Sequence, residues 1–127
     1  MNDLLISKAK RIDTGEWVEG YIIECDRSDS GYCIWRKIEN EYHMTDIVVE
    51  SICRSTGLRD RNNELIFEND ILSDGYKQRK VVWNNLNNHA PGWYTEWEDG
   101  VTTHSNWWSN LEIIGSAIDT PELLKEG

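Results

Sequence analysis

The chain has 127 residues, a formal net charge of −10, and seven Trp and five Tyr against a single Phe. A chain of this size buries about two thirds of its unfolded surface, so stability need not rest on disulfides or a structural metal. Five of the Trp and no Lys or Arg fall between Val81 and Leu124. Without cations to meet phosphates that stretch makes a poor nucleic-acid surface, and nucleic acid is not an expected partner.

Leu4-Leu5-Ile6 is too short for the apolar core of a signal peptide, and Asp3 stands where positive charge is required. No apolar run approaches the roughly 20 residues that span a bilayer. Cys25, Cys33 and Cys53 form no disulfide framework. Reduced thiols in a cytoplasmic compartment are the expectation.

In chain order, Lys8–Ile12 and Trp17–Ile23 flank Asp13-Thr14-Gly15-Glu16, which reads as a hairpin with Gly15 free to take positive φ. Asp26–Gly31 is a polar turn, Tyr32–Ile38 a strand, and Glu39-Asn40-Glu41 a turn toward Tyr42-His43-Met44. Asp46–Ile52 is rich in β-branched residues and is expected to be another strand. From Thr56-Gly57 the chain reads as a polar turn in which Asp60 accepts backbone hydrogen bonds and Asn62-Asn63 take left-handed positions.

Glu64–Phe67 is a short strand, and Asn69 is expected in left-handed geometry before Asp70, which opens the strand of Ile71 and Leu72. Lys77–Trp83 follows as a strand, residues 84–92 as an Asn/Gly loop, and Trp93–Trp97 as a strand with Trp93, Thr95 and Trp97 on one face. Asp99-Gly100 is a turn, Trp107-Trp108 lie in a polar loop, and Leu111–Gly115 is the last strand. Thr120 as N-cap, Pro121 at the first helical position and Glu122 in the first turn predict a short C-terminal helix.

Seven or eight short strands with little helix give a mainly β chain, an antiparallel sandwich or small barrel. The expected organisation is a single domain, with sub-lobes 1–55, an N-terminal sheet, and 56–127, a small barrel of the Src-homology type.

Catalytic and metal-binding constellations are weakly represented. Glu96 and Glu98 share a strand face beside Asp99, but catalytic carboxylate pairs normally face each other across a cleft from separate elements. His43, His89 and His104 have no ligand spacing with the cysteines. A faint calcium-loop pattern from Asp26 puts Lys37 where a bidentate Glu is required. Cys53 follows an apolar run with nothing local to activate a thiolate. No phosphate loop, dinucleotide fingerprint or nucleophile elbow is present. No enzymatic activity, cofactor or metal is therefore expected.

The segment Thr56–Leu72, with the tail Asn110–Gly115 and Thr120–Leu124, resembles the YopX family of phage and prophage proteins. The resemblance implies a phage or prophage origin and a family without an assigned biochemical activity. Family members usually place Gly where this chain has Asn69. Gly57, Asp60, Asn69, Asp70 and Gly115 are the expected structural turn positions. Trp93, Trp97, Trp107 and Trp108 are the candidate partner-binding surface, since an outward Trp is a typical protein–protein anchor. The expected role is non-enzymatic: an accessory protein that self-associates or binds a host or phage protein. The alternatives are carbohydrate binding through Trp93 and Trp97, an acidic DNA mimic that occupies a host DNA-binding protein, and a weak, local nucleic-acid affinity of the basic N-terminal strand, Lys8, Lys10 and Arg11, with Arg54, Arg59 and Arg61.

Overall fold

The first hairpin forms where Asp13–Glu16 folds the chain back on itself. β1 (Ser7–Lys10) and β2 (Trp17–Glu24) pair antiparallel from Ser7↔Gly20 to Lys10↔Trp17. Gly15 sits at φ +75°, and its N–H bonds the Arg11 carbonyl at 3.0 Å. The computed structural model describes residues 6–84, 92–97 and 100–125, and the chain divides into two units, 1–55 and 56–127.

In the first unit β3 (Tyr32–Ile38) and β4 (Glu41–Asp46) continue the antiparallel meander. Glu39 and Asn40 both take positive φ, 49° and 69°, as a two-residue primed hairpin turn demands. The strand order runs β4-β3-β2-β1 and then β5 (Cys53–Arg59), on which the division between the units falls. Alternation along the strands sends Ala9, Val18, Ile34 and Ile47 into one buried cluster, with Ile22, Tyr32 and Ile52 packed against it. Gly20 lies on that inner face, where a Cβ would stand 2.5 Å from the Trp35 carbonyl oxygen. Any side chain there would force β2 and β3 apart.

The expected strand over Asp46–Ile52 is corrected. Only Asp46 belongs to β4, and Val49–Ser51 is a turn of 3-10 helix. The cause is tertiary: the Ser51 hydroxyl donates to the Val48 carbonyl at 2.6 Å and accepts the Lys10 N–H at 2.7 Å. The sheet curls until Ile12 N–H bonds Asp46 O (3.1 Å) and Val48 N–H bonds Lys10 O (2.9 Å), beside the single bridge Arg11↔Ile47.

In the second unit β6 (Leu65–Phe67) hydrogen-bonds to β5, and a separate open sheet has the order β10-β9-β8-β7-β11. These strands are β7 (Asp70–Ser73), β8 (Gln78–Asn84), β9 (Gly92–Trp97), β10 (Gly100–His104) and β11 (Glu112–Ser116). Ile66, Leu72, Val81, Trp108 and Leu111 form its buried core, with Trp93 and Ile113 against them. The mainly β, antiparallel architecture stands, but the barrel expected here is not found. Its sheet ends at β10 on one side and β11 on the other, and no ladder among the described residues joins those edges.

The C-terminal helix is likewise corrected to a five-residue 3-10 turn, Pro121–Lys125. The Thr120 hydroxyl is turned backward onto the Ser116 carbonyl at 3.1 Å, so it does not cap the turn that follows. No helix among the described residues is long and apolar enough to cross a membrane.

Candidate functional site

The turn positions fall into three kinds. Asp60 is buried, and its carboxylate accepts three backbone N–H groups, from Asn62, Glu64 and Ile113, each at 2.9 Å. Asn63, Asn69 and Gly57 have φ of 63°, 71° and 77°. Gly57 nevertheless lies inside β5 and not in a turn, a further correction, because the Thr56 hydroxyl donates to Ile66 O at 2.8 Å and fastens this stretch to β6. Asp70 is buried at the start of β7 and accepts the Phe67 N–H at 2.8 Å. Gly115 serves close packing: a Cβ there would meet the Thr120 hydroxyl at 2.8 Å.

Of the four tryptophans expected to form a surface, the two whose side chains are described, Trp93 and Trp108, pack against the core of the second unit. Trp108 is fully buried at 0% exposure, so it is core and not a binding residue. The reason is that Ser105–Asn110 coils as 3-10 helix, which turns this ring inward. Trp93 is half-buried and meets Trp83 edge-on with ring centroids 5.2 Å apart, so it offers no open sugar platform. The side chains of Trp97, Trp107, Glu96 and His104, together with His89, Glu98 and Asp99, lie outside those described. Among the described residues no three His, Cys, Asp or Glu side chains gather as a metal site.

Among the described residues, an aromatic row lies on the outer face of the first unit's sheet. Register puts Tyr21, Trp35 and Met44 in one row across β2, β3 and β4, with Lys37 and Tyr42 in the next. Tyr42 stacks on Trp35 (centroids 4.8 Å, planes at 7°), and Tyr21 lies 6.1 Å from Trp35. Tyr42 is 60% and Met44 56% exposed. At the other end of the face, Lys8 and Lys10 Nζ lie 4.5 and 5.4 Å from the Trp17 ring centroid, while Lys37 Nζ lies 5.6 Å from Tyr42. A shallow cleft of about 290 Å³ borders Met44, lined also by Arg11, Asp13 and Asp46. Its charges are satisfied locally: Arg11 grips Asp13 with two bonds of 2.9 and 2.8 Å, holding that carboxyl below its usual range.

Cys33 lies on the same side of the sheet but beneath the surface. Its thiol donates to Asp46 Oδ1 at 3.3 Å. Burial first, then the neighbouring Cys25 thiol and the Asp46 carboxylate, push it from 9.0 up to about 12. The folded thiol therefore keeps its proton where the unfolded one has lost it, so this group weakens the fold as pH rises from 9.0 toward 12 and is silent below that window. Half-buried Cys25 is expected to take up maleimide first at about pH 8, with Cys33 and Cys53 labelled only on unfolding. Equal labelling of all three in the native protein, read by peptide mass, would contradict that placement.

Residues 9–125 match the family model described as YopX protein. The crystal structure of protein EF1440 from Enterococcus faecalis is similar over 95% of this chain and 99% of that one, with a TM-score of 0.56 and 23% identity. At that identity the likeness speaks for the fold alone. No curated protein matches the chain. With the match running over nearly its whole length, the chain belongs to the YopX family.

Proposed function

We propose that this protein is a non-enzymatic accessory protein of a phage or prophage, acting in the bacterial cytoplasm by binding, and that its first partner is a second copy of itself. The observation that carries this reading is β4. It is the edge strand of its sheet, and Glu41, Tyr42, His43, Met44 and Asp46 are all exposed. An edge strand presents backbone donors and acceptors that another strand can pair. An antiparallel β4–β4 contact centred on His43 sets Tyr42 of each copy against Met44 of the other. That register buries two apolar pairs and keeps Glu41 away from Asp46. Light scattering across a concentration series should show a dimer that Met44→Lys converts to a monomer with an unchanged circular dichroism spectrum, its melting temperature no longer rising with concentration. A wild-type chain that stays monomeric at the highest concentration would remove the reading.

A further inference from the structure

The turn between β2 and β3 brings two thiols together. The ladder pairs Ile23 with Cys33 and Glu24 with Tyr32, and the Cys25 N–H continues it onto the Gly31 carbonyl at 2.9 Å. Cys25 therefore follows Ile23 on the face that carries Cys33, one step diagonally along the sheet. Gly31, opposite Cys25, adds no side chain to shield one sulfur from the other, and the two thiols hydrogen-bond. The turn itself is pinned: the Ser28 and Ser30 hydroxyls both donate to the Tyr32 carbonyl, at 3.0 and 3.1 Å. The two sulfurs differ in access. Cys25 is half-buried, whereas Cys33 is buried and donates its thiol proton to Asp46 Oδ1 at 3.3 Å. Cys53 sits elsewhere, on β5, with its thiol on the Ser51 carbonyl at 3.4 Å.

We infer that Cys25 and Cys33 form an oxidation site, which exchanges with a low-molecular-weight disulfide and closes to an intramolecular disulfide. The Cys25 thiolate attacks one sulfur of the small disulfide and breaks its S–S bond; the other half leaves as a thiolate and takes a proton from water. Cys25 then carries a mixed disulfide. The Cys33 sulfur, its proton given to solvent, attacks the Cys25 sulfur, and the second half of the small disulfide leaves and is protonated in turn. Two protein thiols have become one disulfide, and their two electrons have reduced the small disulfide to two thiols. The order of events follows from burial. Cys33 is closed to a reagent from solvent, so it reacts only with a sulfur that Cys25 presents to it. Until then the Asp46 carboxylate holds the Cys33 proton in place, and the pair rests reduced in reducing surroundings. Closure takes that thiol donor away from Asp46, at the end of the edge strand β4. The site is independent of the β4 contact, which is made by Tyr42 and Met44.

The test is incubation of the native protein with glutathione disulfide at about pH 8, followed by acid quenching, maleimide blocking of the unfolded chain and peptide mass analysis. The wild type should yield Cys25 and Cys33 in one linked peptide, with Cys53 carrying maleimide and no covalent dimer on a non-reducing gel. Cys33→Ser should stop at the first step, with glutathione on Cys25 at a level at least about tenfold above that in the wild type. Cys25→Ser should leave Cys33 unmodified as long as the chain is folded, which circular dichroism melts establish. The inference is overturned if the wild type keeps glutathione on Cys25 as Cys33→Ser does, or if no adduct or link forms at all. It fails equally if the link joins Cys25 of two copies or includes Cys53. The wild-type masses decide the matter by themselves should either serine variant not fold.

Discussion

Replacing Trp108 with Ala is expected to destabilise the second unit by about 4 kcal/mol, measured as a shift in the urea midpoint at constant slope. The indole is fully buried among Ile66, Leu72, Val81 and Leu111, with Trp93 and Ile113 at its margin. These neighbours come from five different strands and one loop, so no single element can shift to refill the space. Trp108→Phe should cost far less, about 1–2 kcal/mol. The smaller ring still fills most of the site. The Trp108 Nε1–H is buried without a hydrogen-bond partner among the described residues, so Phe also removes a desolvated donor. An Ala variant as stable as wild type would mean that the ring is not the centre of this core.

Trp108 also marks where sequence reading stops. Adjacent aromatics on an extended chain face opposite ways, but Ser105–Asn110 is a 3-10 turn, and the alternation rule does not operate there. Asp46–Ile52 fails for a related reason. Its β-branched residues favour a strand, yet Ser51 is bonded to both Val48 and Lys10, a partner 41 positions away. The first hairpin, by contrast, was readable because its turn chemistry and its alternation agree: Gly15 takes the positive φ, and Ala9 and Val18 fall inward together.

The outer aromatic face was half legible. Spacing alone puts Trp17 with Tyr21, and Trp35 with Lys37, on common faces of their strands. Cross-strand register, which aligns Tyr21 with Trp35 and Trp35 with Met44, is a property of the folded sheet. The density of Trp after Val81 does not tell core from surface: Trp93 and Trp108 spend their area on core packing, while Trp83 is exposed.

Asp60→Ala is expected to cost about 3 kcal/mol, although it removes only a small polar side chain. Asp60 Oδ1 accepts the N–H groups of Asn62 and Glu64, which shapes the turn, and Oδ2 accepts Ile113 N–H, which fastens that turn to β11, 53 positions away in sequence. The residue is 5% exposed, so water does not readily replace the lost acceptor. Alanine would leave three donors unpaired at once, two in the turn and one on β11. Asp60→Asn keeps one acceptor and sets an amide donor against an N–H, so an intermediate loss is expected. The neighbouring pair of Arg61 and Glu112, joined at 2.8 Å but well exposed on both sides, provides the contrast. Glu112→Ala should cost no more than about 1 kcal/mol, because exposed ion pairs are screened and entropically expensive. Chemical denaturation should rank Asp60→Ala as the least stable of the three variants, Asp60→Asn next and Glu112→Ala as the most stable. If the Glu112 variant proved the weakest, the ion pair would be the clasp between turn and strand, and the buried carboxylate would be reduced to shaping its own turn.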